Sequence, residues 1–84
     1  MIEVLYFARI REELNLAREQ LSWESSMPNV SALIDHLCRD RGTNWSTTLQ
    51  QDNLLVSVNQ AMVMRDHPLE DGDEIAFFPP VTGG

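Results

Sequence analysis

A chain of 84 residues makes one domain, and a domain of that size buries only about 60–65% of the surface its unfolded chain exposes, too little to enclose a deep active site. The formal net charge is -7 and all six basic residues are arginines (Arg9, Arg11, Arg18, Arg39, Arg41 and Arg65), so nucleic acid and anionic membranes are poor partners and a protein with a basic face is a better one. Cys38 is the single cysteine, no segment approaches the about 20 apolar residues of a membrane span, and the apolar start lacks the basic flank of a signal peptide; an internal disulfide is excluded and a cytoplasmic protein is the expectation.

Ile2–Ala8 is rich in β-branched and aromatic residues and predicts a first strand. Arg9–Leu14 predicts a short helical turn, ended by Asn15 in the left-handed conformation. Ala17–Trp23 reads as a second strand with Leu21 and Trp23 on one face. The clearest helix follows: Asn29 is a good N-cap, Val30, Leu33, Ile34, Leu37 and Cys38 recur at helical spacing, and Gly42 stands where a C-terminal cap glycine belongs. Thr43–Asn53 is polar around Trp45 and Leu49 and offers a short second helix. Leu54–Val58 predicts a strand with Leu54, Val56 and Val58 on one face. Asn59–Gln60 is a tight turn into a strand over Ala61–Met64. Leu69–Asp73 is a turn in which Gly72 takes positive φ, and Glu74–Phe78 is the last strand, stopped by Pro79 and Pro80.

One long helix can cover one face of one small sheet, so the expected class is α+β, two layers. First and last strands that are apolar on both faces belong at the centre of the sheet. A β-grasp, with those strands adjacent and parallel in a mixed sheet and one main helix packed on one face, satisfies this; a ferredoxin-like sandwich is the alternative but needs a second long helix. Residues 1–80 are expected to form the domain and residues 81–84 a flexible Gly-Gly tail.

No conventional active site is visible. Gly72 is isolated, so there is no phosphate-binding glycine loop, and His36 and His67 have no partner at metal-ligand spacing. His67 is expected to cap local backbone. Cys38 lies on the apolar stripe, where packing is expected rather than nucleophilic reactivity. What remains is Phe77-Phe78-Pro79-Pro80-Val81-Thr82-Gly83-Gly84. The prolines keep this segment extended and out of further sheet pairing. Gly83 and Gly84 carry no Cβ to obstruct a narrow channel in another protein. A terminal carboxylate becomes electrophilic once ATP converts it to an acyl adenylate; sulfur attack would then leave a thiocarboxylate.

These features meet a known pattern. Leu69 to Gly84, the opening Val4-Leu5-Tyr6-Phe7-Ala8-Arg9-Ile10-Arg11-Glu12 and the central Val58-Asn59-Gln60 together closely resemble the small-subunit family of molybdopterin synthase, ubiquitin-like sulfur carriers. The resemblance spans the chain in order, and Pro79-Pro80 with Phe7-Ala8-Arg9 sets it apart from thiamine-pathway carriers. It implies a β-grasp domain with no bound cofactor and no metal. It implies that Gly84 is adenylated by an E1-like adenylyltransferase using ATP and becomes a thiocarboxylate with sulfur from a donor protein, with Gly83, Thr82 and Val81 threaded into the partner. It further implies that the tail enters the large catalytic subunit, typically in a heterotetramer, and donates sulfur to cyclic pyranopterin monophosphate in molybdenum cofactor biosynthesis. Asn15, where the family often has glycine, tolerates the same turn.

Strand alternation predicts a partner surface independently. With Ile2, Val4 and Tyr6 facing the helix, Leu5 and Phe7 point the other way, joined by Phe78, with Met62 extending the patch and Pro79 and Pro80 at its margin. Folding of Thr43–Asn53 over that face is the alternative. A ubiquitin-like modifier shares the tail, and a binding module without tail chemistry is a reading of another class.

Overall fold

A computed structural model describes residues 1–80; the expected tail, Val81, Thr82, Gly83 and Gly84, lies outside the described residues. Along the chain run β1 (Ile2–Tyr6), α1 (Ala8–Leu14), β2 (Arg18–Leu21), α2 (Val30–Cys38), α3 (Thr43–Leu49), β3 (Leu55–Val58), β4 (Ala61–Val63) and β5 (Glu74–Phe78). The strands form one sheet in the order β2-β1-β5-β3-β4, with β1 and β5 parallel at its centre and every other pairing antiparallel. This is the ubiquitin-like β-grasp arrangement that the apolar first and last strands predict.

The core lies between the sheet and the helices. Ile2, Val4 and Tyr6 of β1 and Ile75 and Phe77 of β5 are buried with Val30, Leu33, Ile34 and Leu37, the stripe that helical spacing places on one side of α2. Asn29 caps α2 by accepting a hydrogen bond from the Ala32 amide at 2.9 Å. The far end of α2 differs from expectation. The helix stops at Cys38, Asp40 takes the left-handed conformation with φ 61°, and Gly42 precedes α3 instead of ending α2. An aspartate can supply a left-handed turn through its short polar side chain, which makes the glycine available two residues later.

Two turns fix the remaining register. Asn59 and Gln60 both have positive φ (51° and 71°), the mirror-image turn whose twist suits a two-residue hairpin. The Asn59 side chain accepts from the Glu74 amide at 3.0 Å and donates to Asp73 at 2.9 Å, tying this hairpin to the start of β5. At Gly72, φ is +95° with open space around the position of an added Cβ, so the backbone conformation and not crowding favours glycine.

Candidate functional site

Among the described residues, all three helices lie on one side, and the opposite face of the sheet is left open. Register brings Leu5, Ala76, Ser57 and Met62 into one row across four strands, and Phe78 and Leu55 into the next. Phe7 continues β1 by one residue, its amide donating to the Phe77 carbonyl at 3.1 Å, and its ring lies parallel to that of Phe78 with centroids 4.9 Å apart. Phe7 is 39% exposed, Met62 59% and Met64 78%, far more than apolar side chains show in a core. An open depression of about 400 Å³ runs between Ala8, Leu55, Met62, Phe78, Pro79 and Pro80 and is almost wholly apolar.

The structure therefore places Phe7, Met62, Phe78, Pro79 and Pro80 together at one end of the open face, where the described chain ends. The segment Thr43–Asn53 does not cover it. Within that segment, α3 packs against α1 and α2 on the helix side, where Trp45 meets the Tyr6 ring edge-on at 5.6 Å. Sequence reading missed Leu55 and Ala8. Leu55 was legible in principle, since it alternates with Leu54 and Val56. Ala8 was not: it is brought forward by an unexpected left-handed φ of 50° at the start of α1. Beneath the same prolines, Arg9, Ile10, Glu13, Gln51 and Asn53 line a smaller, polar depression of about 230 Å³.

On the helix side a charged network stabilises the scaffold. Arg41 donates two hydrogen bonds to the Glu19 carboxylate at 2.7 and 2.9 Å, and the Tyr6 hydroxyl donates a third at 2.7 Å. The Arg41 guanidinium also lies 4.5 Å from the centre of the Trp45 ring. Burial alone would push the Glu19 carboxyl up, but the hydrogen bonds from Arg41 and Tyr6 outweigh it and hold the group below the usual carboxylate range. Burial, reinforced by Glu19, pushes the Tyr6 hydroxyl well above its ordinary value. A depressed carboxylate stabilises the fold fully above its unfolded value, about 4.3, and the contribution is lost as pH falls through the folded value. Glu19→Gln is expected to lower stability at pH 7 by about 1–3 kcal/mol and to flatten the loss of stability on acidification, measured by urea unfolding across a pH series. A wild-type slope in the variant would assign that acid sensitivity elsewhere.

The other sequence candidates are structural. Cys38 is half-buried against the core rather than fully buried, and burial pushes its thiol up, away from reactivity. The backbone of His67, not its side chain, serves the local structure: its carbonyl accepts from the Val30 amide at 3.1 Å. Among the described residues no group of three or more His, Cys, Asp or Glu could hold a metal ion, and no helix is long and apolar enough to cross a membrane.

Comparison with known proteins shows the family and the fold. The ThiS family model matches residues 4–84. The chain is 45% identical over 84 residues to the molybdopterin synthase sulfur carrier subunit of Escherichia coli strain K12, covering 100% of both chains. It is 40% identical, again over the full length of both, to the subunit of the same name from Haemophilus influenzae. Among solved structures, the protein–protein complex of subunits 1 and 2 of the molybdopterin-converting factor from Helicobacter pylori 26695 contains a chain of the same fold. Its TM-score is 0.66 at 21% identity, covering 99% of this chain and 97% of that one.

Proposed function

The chain belongs to the ThiS family, and from that premise we propose that it is the sulfur carrier subunit of a cytoplasmic molybdopterin synthase. The observation that carries this reading is continuity. The open apolar face runs without interruption into Phe78, Pro79 and Pro80, so a protein bound there is already at the root of the Gly-Gly terminus. The domain supplies no catalytic group of its own; it presents a reactive end to partners that do.

An E1-like enzyme binds the face and offers ATP. A Gly84 carboxylate oxygen attacks the α-phosphorus, pyrophosphate leaves, and a glycyl adenylate results. Hydrosulfide-level sulfur released by a donor protein then attacks the carbonyl carbon, AMP departs with the electron pair of the broken C–O bond, the S–H proton passes to solvent, and the thiocarboxylate remains. Val81, Thr82, Gly83 and Gly84 next thread into the large catalytic subunit, where the sulfur passes to cyclic pyranopterin monophosphate. Phe7, Met62, Phe78, Pro79 and Pro80 are the docking residues in both encounters, and Gly84 is the reacting one. Apolar docking suits successive partners, because burial of aromatic and methionine side chains is non-directional and tolerates more than one complementary surface.

The test is the mass of the C-terminal peptide after incubation with ATP, an E1-like enzyme and a sulfur source. Replacement of one oxygen by sulfur at Gly84 is the expected result. Attachment of Gly84 to amines of other proteins would make the chain a modifier instead, and an unchanged peptide in the presence of an active E1-like enzyme would overturn the carrier reading.

A further inference from the structure

An activated C-terminal carbonyl is an acylating agent, and the most damaging nucleophile is one on the carrier itself. The 84 residues contain no lysine; all six Lys-or-Arg positions are arginine. A guanidinium stays protonated at pH values where a lysine amine begins to lose its proton, so it has no lone pair to offer. The remaining amine, the α-amino group of Met1, is ion-paired with Asp71. Parallel pairing of β1 with β5 sets Glu3 level with Glu74, so Met1 lies beyond the Glu74 end of β5 while the tail leaves from its other end. From the level of Glu74 to Pro80 is six residues of extended chain, about 20 Å, whereas the four residues of the tail reach at most about 13–14 Å.

Resting on the carrier reading above, we propose that this chain is built without an internal amine within reach of its own activated terminus. Arginine at position 9 is the residue that matters most for this. Arg9 is exposed and lines the polar depression together with Pro79 and Pro80, directly under the root of the tail. A lysine there would be held near Gly84 at an effective concentration in the millimolar range. Its nitrogen lone pair would attack the Gly84 carbonyl carbon, the leaving group would depart with the electrons of the broken bond, and the ammonium proton would pass to solvent. The product is an isopeptide ring, which sulfur nucleophiles do not reopen. The arginine-only surface thus leaves the choice of acceptor to the docked partner.

The experiment uses the full chain released from an intein fusion as a Gly84 thioester, a defined acyl donor that needs no E1-like enzyme. At pH about 8.5, roughly one lysine amine in a hundred is unprotonated. Under those conditions Arg9→Lys is expected to yield a product one water lighter than the free acid, with an isopeptide between position 9 and Gly84 in its peptide map. The wild type and Glu70→Lys, whose new amine sits at the Met1 end, are expected to hydrolyse only. Ring yield should differ at least about tenfold between the two lysine variants, as the effective concentration at position 9 implies. Ring or oligomer formation by the wild type, failure of Arg9→Lys to close, or equal closure by Glu70→Lys would each overturn the proposal. ATP-dependent pyrophosphate release with an E1-like enzyme tests the carrier reading separately, so the two fail distinguishably.

Discussion

Removal of Gly84 is expected to cut thiocarboxylate formation by at least about a hundredfold while leaving the domain folded. In the proposed function the reacting carbonyl must meet a nucleotide α-phosphate in one enzyme and a pterin in another, and displacement of a reacting group by about 1 Å can cost on the order of a hundredfold in rate. One missing residue withdraws the terminus by about 3.3–3.6 Å. Extension beyond Gly84 should be equally damaging, because the carboxylate to be activated then stands elsewhere. Stability should be untouched, since the buried core along β5 ends at Phe77. Gly83→Val is expected to be intermediate or severe, through steric exclusion from the partner's channel, and Thr82→Ala mild, since that side chain is not the reacting group. Mass spectrometry of the C-terminal peptide, with circular dichroism as the folding control, reads each variant. A shortened chain that still acquires sulfur and supports product formation would remove the basis of the carrier assignment.

A charge placed in the open apolar face is expected to weaken binding to the large subunit by roughly a hundredfold to a few thousandfold. An uncompensated charge buried at an interface costs about 3–5 kcal/mol, and each 1.4 kcal/mol is a factor of ten in Kd. Phe78→Asp should show the largest effect, because Phe78 stacks on Phe7 and lines the depression leading to the tail. Met62→Asp is the cleaner probe of docking alone, since a side chain 59% exposed contributes little to the fold. Titration calorimetry with the large subunit, backed by thermal unfolding of each free variant, separates the two effects. Unchanged affinity for both would move the interface to another face. In Phe7→Asp the fold is more at stake, because Phe7 leads into α1 and its amide is bonded to β5.

Much of this protein is determined locally and can be read along the chain. Asn29 caps α2 through its own side chain, Asn15 ends α1 with φ 55°, and Gly72 turns the chain with φ 95°, because capping and turn preferences depend on one residue and its near neighbours. The apolar stripe of α2 and the alternation in β1 likewise specify which side faces the core, since helix and strand periods are fixed by backbone geometry. The Gly-Gly terminus, to which the proposed function assigns the chemistry, is a local signal too and needs no fold to be recognised. Other features belong to the tertiary structure. The end of α2 at Cys38 was decided by the left-handed Asp40 and by the docking of α3 on α1 and α2, not by the glycine at position 42. The pairing of Glu19 with Arg41 and Tyr6 joins residues far apart in sequence, and no spacing announces it. The parallel register of β1 on β5 is equally non-local. That register completes the open face beside the root of the tail and carries the Met1 amine to the opposite end of the sheet, because two parallel strands place their starts at one edge and their ends at the other.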